Sequence, residues 1–119
     1  MTPEQRDPAY LWDMLDAAKR VREYTAGLTL GEYLKRDVVC SAVERQLEVL
    51  GEAARRVSDE VKQQHSEIPW PAIVAQRNVI AHEYGEINHV RIWKVVTTHI
   101  PDLIRALESL IPPLPPETP

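Results

Sequence analysis

The sequence has few of the residues that staple small proteins together. Cys40 is the single cysteine among 119 residues, so an internal disulfide is excluded. The HExxH and CxxC spacings typical of zinc sites are also missing, which argues against a metal cofactor. A chain of this length can bury a core without either kind of staple. We therefore expect one domain in a reducing compartment, with Cys40 as a small buried residue.

Long apolar runs are also missing from the sequence. No stretch approaches the length of a membrane-spanning helix. The first residues, Met1–Asp7, are polar and contain no apolar core of a signal peptide. We therefore expect a cytoplasmic protein that has no membrane partner.

The chain has no excess of positive charge. Its 14 lysine and arginine residues are outnumbered by 18 aspartate and glutamate residues, which gives a formal net charge of −4. A protein that holds nucleic acid by bulk electrostatics needs a basic footprint, so this balance argues against that class. It is compatible with a local basic groove, and an acidic surface also suits a more basic protein partner.

Apolar residues follow the helical period nearly throughout the chain, and no strand-like alternation competes with it. We predict a first helix that is capped by Asp7, has Pro8 at its first position and fades near Tyr24. Gly27 follows as a stop signal. A capping box at Thr29–Glu32 then opens a short helical turn.

A second long helix is predicted from about Asp37 to Val57. Gly51 lies inside it, where glycine costs about 1 kcal/mol relative to alanine. The expected reason for Gly51 is close approach of another helix. After a break or cap at Ser58–Glu60, the third main helix begins near Pro71.

The third helix should stop near Tyr84, because Gly85 is suited to a left-handed cap. Asn88 can cap a last helix that runs to about Leu110, and Pro101 should kink or break it. The whole pattern predicts an all-α bundle of four to five helices over residues 1–111. A proline-rich, extended tail is predicted over residues 112–119.

The most informative stretch lies at the end of the third helix and reads Arg77-Asn78-Val79-Ile80-Ala81-His82-Glu83-Tyr84-Gly85. Arginine presents a planar fork of donors that suits phosphate oxygens. Histidine moves protons near neutral pH, and the helix macrodipole at this end favours its charged form. Such a pair can handle a phosphodiester without a metal, so RNA is the first substrate to consider.

Helical geometry separates the members of this motif. Arg77 and Tyr84 share one face, and Asn78 and His82 share another. Arg77 and His82 are five residues apart and point away from each other on a straight helix. Either the helix unwinds at His82, or two copies of the motif face each other across a two-fold axis. The second arrangement gives a symmetric homodimer with a composite cleft.

Each of two other groups of charged residues has two interpretations, one as ordinary surface charge and one as a functional contact. An acidic stripe on the second helix, formed by Glu44, Glu48 and Glu52, is either a solvated face or a contact to a basic partner or to Arg77. A small basic patch, formed by Arg55, Arg56 and Lys62, is either ordinary surface charge or an RNA track. The evidence for a functional role is weaker for the remaining histidines, His65, His89 and His99.

Three segments in register resemble a known family. They are Leu47–Ala54, Ile68–Trp70 and Arg77–Tyr84, and the last matches an R-N-x-x-x-H-x-Y signature. Together they resemble the HepT-like branch of small toxins in the HEPN superfamily, from Leu11 to about Leu110. The chain departs from that pattern after Tyr84, where relatives often carry a bulkier aromatic element.

The resemblance implies properties that the spacing does not. Such proteins are helical bundles that dimerise with their Arg/His motifs in one cleft, and many are metal-independent endoribonucleases. Carried over by residue, Arg77 and His82 are the catalytic pair and Asn78 is their polar support. A nucleotidyltransferase of the MNT type is the implied antitoxin partner, which silences the toxin by adenylylation of Tyr84.

These observations lead to one main hypothesis and two alternatives. The main hypothesis is a metal-independent endoribonuclease toxin of a type VII-like toxin–antitoxin pair, with tRNA or mRNA as substrate and no cofactor. An alternative is a non-catalytic helical module that docks a nucleotidyltransferase, which the acidic net charge favours. A structural helical dimer without chemistry is the third hypothesis, and the register of the three segments argues against it.

Overall fold

The computed structural model describes the backbone of residues 3–82 and 87–111 and the side chains of residues 6–81 and 87–111. This part of the chain is helical without strands, which confirms the all-α prediction. Its elements are α1 Pro3–Thr25, α2 Leu30–Leu34, α3 Asp37–Arg56, α4 Asp59–Gln64, α5 Trp70–His82, α6 His89–Lys94, a π-helical segment Val95–His99, and α7 Ile100–Leu110. The predicted tail over residues 112–119 lies outside the described residues.

Within residues 3–82 and 87–111, the helices outnumber the four to five that the sequence predicted. Two connections, α2 and α4, each form a short helix of their own, and the last helix is divided by its π-helical segment. The capping box predicted at Thr29 is confirmed, since its side chain and that of Glu32 each bond to the other's backbone N–H. Ser58 caps α4 in a similar way by accepting from the Val61 N–H at 3.3 Å.

The predicted start of the first helix is wrong. α1 begins at Pro3, and Pro8 lies inside the helix. Asp7 is buried, and its carboxylate accepts hydrogen bonds from the Ser58 backbone N–H at 2.8 Å and the Ser58 hydroxyl at 2.6 Å. The aspartate therefore bonds to the start of α4 rather than to its own helix. At the other end, Gly27 follows α1 as the predicted stop signal and adopts a left-handed conformation, with φ of 76°.

α3 is the central helix of the domain. It packs against α1 on one side and α5 on the other, and α7 covers α1. Its buried face includes the core residues Val43, Leu47, Leu50 and Ala54, and the partly buried Val39 packs against this core. Cys40 is buried as expected, and its thiol donates to the Tyr33 carbonyl oxygen at 3.3 Å.

The chain stays helical through Ile100, and in place of the predicted kink or break it shows a local change of helix type. The Ile100 N–H donates to the Val95 carbonyl, five residues back, which is the π-helical pattern. Pro101 follows at the start of α7, where its missing N–H is tolerated. No helix in the described ranges has the length and apolar character needed to cross a bilayer.

Gly51 lies where α3 meets α5. A Cβ atom added there would collide with the Cβ of Arg77, and it would lie 2.9 Å from the Arg77 Cγ and 3.1 Å from the Ile73 carbonyl oxygen. The Cβ of Arg77 and the carbonyl oxygen of Ile73 are fixed by the backbone of α5, so they cannot rotate away. The prediction that another helix approaches Gly51 closely is confirmed.

We expect Gly51→Ala to lower the free energy of unfolding by about 1–3 kcal/mol, because the added methyl group forces α3 and α5 apart. Urea unfolding followed by circular dichroism measures this effect. Gly31→Ala is the matched control, since its added Cβ meets only the Thr29 hydroxyl at an ordinary 3.9 Å. Equal stability of the two variants would contradict the tight contact.

Candidate functional site

The Arg/His motif lies on one continuous helix. α5 includes both Arg77 and His82, so these positions are about 140° apart around its axis. One α5 helix therefore does not direct both positions to the same side. The His82 side chain and all of residues 83–86, including Tyr84 and the predicted stop at Gly85, lie outside the described residues.

Arg77 is held between two side chains and a glycine. The first atoms of its side chain pack against Gly51, so the guanidinium is carried toward the surface of α3. There its Nη2 lies 3.5 Å from Glu52 Oε2, and its Nη1 donates to Asn78 Oδ1 at 3.1 Å. The side chain is 32% exposed, so its charged end is accessible to solvent. Asn78 thus contacts the guanidinium of Arg77 directly.

Glu52 interacts with three arginines. Its Oε1 accepts from Arg55 Nη2 at 2.7 Å and from Arg56 Nε at 3.0 Å, and its Oε2 accepts from Arg55 Nε at 3.2 Å. Arg77 approaches the same carboxylate from α5. Hydrogen bonds from Arg55 and then Arg56 lower the pKa of Glu52 to about 2. The carboxylate is therefore charged at any physiological pH.

A polar cleft of about 300 Å³ lies beside these groups, between α1, α3 and α5. Its charged side chains are balanced, with three arginines facing three carboxylates: Arg45, Arg56, Arg77, Asp13, Glu48 and Glu52. Tyr10 adds an aromatic ring to the wall. We refer to this feature as the arginine cleft. It can offer guanidinium groups to an anion without being basic as a whole.

A second groove, of about 340 Å³, lies between α3, α5 and α7 and has a different character. Its walls are mostly aliphatic, and its polar residues are few. It does not include Arg77. Because a phosphate needs charged or polar donors, the arginine cleft is the better candidate for the functional site.

Both interpretations of the acidic stripe hold in part. Glu48 lies 3.8 Å from Arg45 on its own helix, as a solvated face predicts. Glu52 lies close to Arg77 on α5, as the interpretation of the stripe as a functional contact predicted. Glu44 contacts His89 instead, with 3.1 Å between Oε2 and Nδ1. Burial raises the pKa of the Glu44 carboxyl, and His89 partly opposes that shift.

The histidine of the Glu44–His89 contact follows the Arg/His motif closely in sequence. His89 is the first residue of α6, directly after Asn88, which caps that helix by accepting from the Arg91 N–H. The contact places the first residue of α6 beside α3. The predicted cap at Asn88 is confirmed.

Glu52 partly offsets the charge of the basic patch. Arg55 and Arg56 both bond to Glu52, and Lys62 Nζ donates to the Arg55 carbonyl oxygen at 3.2 Å. These contacts favour the interpretation as ordinary surface charge. Across the described residues, no three histidine, cysteine, aspartate or glutamate side chains come together in a way that could hold a metal ion.

The fold and the site together define a small helical domain whose arginine-bearing motif opens onto a polar cleft. The profile of the family described as "Ribonuclease HepT-like" matches residues 14–110, which is most of the chain. The chain therefore belongs to the HepT-like ribonuclease family. The class of protein predicted from the sequence is confirmed at the level of this family.

Individual relatives are similar along nearly their whole length. The chain is 31% identical over 100 residues to "Putative RNase MJ1380" of Methanocaldococcus jannaschii, covering 84% of this chain and 92% of that protein. It is 32% identical over 101 residues to "Probable ribonuclease HepT" of Thermococcus cleftensis, covering 85% and 92%. A Caldanaerobacter subterraneus protein, "Putative RNase TTE0752", is 29% identical over 102 residues, covering 86% and 91%. No solved structure is a significant match.

Two features of the site were missed from the sequence. Tyr10 and Asp13 line the arginine cleft from α1, more than sixty residues before the motif. Their position depends on how α1 packs against α3, which periodicity within one helix does not reveal. The anchoring of Asp7 by Ser58 was missed for the same reason.

The low pKa of Glu52 predicts a pH dependence of stability. Its pKa is about 2 in the folded chain against an ordinary value of 4.5, so its pairing stabilises the fold above pH 4.5 and is lost as the pH falls toward 2. Glu52→Gln should lose less stability over that interval than the wild type. Thermal unfolding at pH values between 2 and 6 measures the difference. Parallel curves for the two proteins would show that Glu52 is not paired as described.

Proposed function

We propose that this chain is a metal-independent endoribonuclease and the toxin of a type VII-like toxin–antitoxin pair. The observation that carries the proposal is the position of Arg77. Its partly exposed side chain contacts Gly51, Glu52 and Asn78 at the arginine cleft. Family membership supports the ribonuclease class. Arg77 and His82 are the proposed catalytic residues, and Asn78 supports Arg77.

RNA supplies its own nucleophile for this reaction, the 2′-hydroxyl. His82 is proposed to transfer protons, either from that hydroxyl or to the 5′ oxygen that leaves. Arg77 binds the phosphate and stabilises the charge that develops on its oxygens. Attack forms the bond from the 2′ oxygen to phosphorus and breaks the bond to the 5′ oxygen. The products are a 2′,3′-cyclic phosphate and a 5′-hydroxyl end.

We further propose that the working enzyme is a homodimer with the α5 helices near the two-fold axis. Divergence of positions 77 and 82 on one helix supports this arrangement, because a second copy can supply the complementary group. The exposed residues of α5 include Pro71, Ala72, Ala75 and Asn78, which are small enough to let another helix approach closely.

We expect the protein to cleave RNA in the presence of a chelator and to leave 2′,3′-cyclic phosphate ends. His82→Ala should lower kcat by about 10²–10⁴-fold, because a proton-transfer group is lost. Arg77→Ala should lower it by about 10²–10³-fold, because charge stabilisation is lost. Cleavage of a labelled RNA, with end-group analysis of the products, measures both effects.

Two variants control for nonspecific effects of these substitutions. Arg20→Ala removes an exposed arginine that pairs with Asp16 on α1, and His65→Ala removes a histidine from the end of α4. Both should retain wild-type kcat. Cleavage that requires a divalent metal, or that persists in His82→Ala, would refute the assignment.

The same variants test the composite cleft. In a mixture of Arg77→Ala and His82→Ala chains, a mixed dimer that shares groups between protomers contains one intact site, so activity should partly return. A light-scattering mass equal to that of the monomer, with full activity, would exclude the shared site while leaving the ribonuclease in place.

The partner we propose is a nucleotidyltransferase of the MNT type that acts as antitoxin. It would transfer AMP from ATP to the Tyr84 hydroxyl, forming a phosphodiester and releasing pyrophosphate. The added phosphate carries negative charge two residues beyond His82, and it could occupy the position that the scissile phosphate needs.

We expect incubation with such a partner and ATP to add one AMP mass to the wild type and to abolish RNA cleavage. Tyr84→Phe should gain no mass and stay active, because it lacks the acceptor hydroxyl. Tyr24→Phe, in α1, is the matched control and should be modified like the wild type. Intact-mass spectrometry reads the result, and equal modification of Tyr84→Phe would place the acceptor elsewhere.

A second candidate function is a non-catalytic module that docks the nucleotidyltransferase. The balanced charge of the arginine cleft favours this candidate, because three carboxylates oppose RNA binding there. Loss of cleavage in His82→Ala distinguishes the two candidates, since a docking module has no activity to lose.

A further inference from the structure

We infer that Glu52 is a positioning residue for Arg77 in the proposed ribonuclease, acting across the contact between α3 and α5. The inference rests on the proposed function for the role of Arg77. It adds that the orientation of this arginine is set by a neighbouring helix, whereas the motif itself supplies only Asn78.

Gly51 and Glu52 are consecutive in α3, and both contact the side chain of Arg77 on α5. Gly51 accepts the Cβ and Cγ of Arg77 against its backbone, which fixes where the side chain leaves α5. Glu52 Oε2 then faces the guanidinium at 3.5 Å. Gly51 thus holds the stem of the Arg77 side chain, and the adjacent Glu52 faces its charged end.

Glu52 has fewer acceptor sites than its three arginine partners have N–H donors. A guanidinium has five N–H groups, and a carboxylate has about four sites that can accept them. Three hydrogen bonds from Arg55 and Arg56 already use most of the acceptor sites of Glu52. Arg77 is the most distant of its three arginine partners, so it is oriented without being tightly sequestered. Its other N–H groups remain available to a phosphate.

The charges around Glu52 do not cancel. One carboxylate among three guanidinium groups leaves two net positive charges around Glu52. Two of these guanidinium groups, those of Arg56 and Arg77, line the arginine cleft, so an anion that enters beside Arg77 meets a local excess of positive charge there. Glu52 remains ionised because Arg55 and Arg56 hold its pKa at about 2, so this arrangement does not change with physiological pH.

Replacing Glu52 should lower two kinetic parameters, KM and kcat, for different reasons. Glu52→Gln removes a negative charge, so RNA should bind more tightly and KM should fall. It also releases Arg77, so kcat should fall by about tenfold or more, up to the ~10²-fold that misplacement of a catalytic group can cost. A purely structural role would reduce the amount of active protein and leave KM unchanged.

Glu48→Gln is the matched control. It removes the same charge one turn earlier in α3 and in the same cleft, but Glu48 pairs with Arg45. It should lower KM and leave kcat within about twofold of the wild type, a difference small on the free-energy scale. Glu52→Asp keeps the charge on a shorter side chain and should recover part of kcat. Equal loss of kcat in both Gln variants, or none in Glu52→Gln, would overturn the inference.

A measurement without RNA separates this inference from the proposed function. The ¹⁵N order parameter of the Arg77 Nε–Hε bond reports how tightly the guanidinium is held. It should fall in Glu52→Gln and stay at the wild-type value in Glu48→Gln. If the wild type cleaves no RNA but the order parameter falls as expected, the ribonuclease is refuted and the positioning by Glu52 is supported. An unchanged order parameter in Glu52→Gln overturns the positioning.

Discussion

The close contact of α3 with α5 at Gly51 is the constraint on which the site depends. Because Gly51 has no side chain, the stem of Arg77 can lie directly against the backbone of α3. Any larger residue would separate the helices and carry the guanidinium away from Glu52. Packing and chemistry are therefore linked at one residue. The helix that forms the centre of the core also sets the orientation of the proposed catalytic arginine.

Electrostatics explains how an acidic chain can present an anion site. The formal net charge is −4, and the arginine cleft as a whole is balanced. Within it, arginines from two helices surround a single carboxylate, so the local field differs from the average. A substrate selected by this field would be recognised at one or two phosphates rather than along a long backbone track. The patch at Arg55 and Arg56, whose charge Glu52 offsets only in part, is consistent with this local field.

The sequence predicted most of the fold and part of the site, and the errors have physical causes. Gly51 was recognised because glycine is costly within a helix, and its expected reason proved correct. The capping signals at Thr29, Ser58 and Asn88 are local and were also confirmed. Asp7 was misread as a cap because its real partner lies 51 residues away. Tyr10 was missed at the cleft for the same reason.

The π-helical segment has a consequence for how the last helices are aligned. A π turn is equivalent to one residue inserted into an α-helix, and it displaces everything beyond it by about 100° around the axis. α7 therefore presents a different face from the one that α6 would present if it continued regularly. That face contains Ile100, Leu103, Ile104 and Leu107, which are all buried. The inserted residue thus acts as a register adjustment, turning the apolar side of the C-terminal helix toward α1.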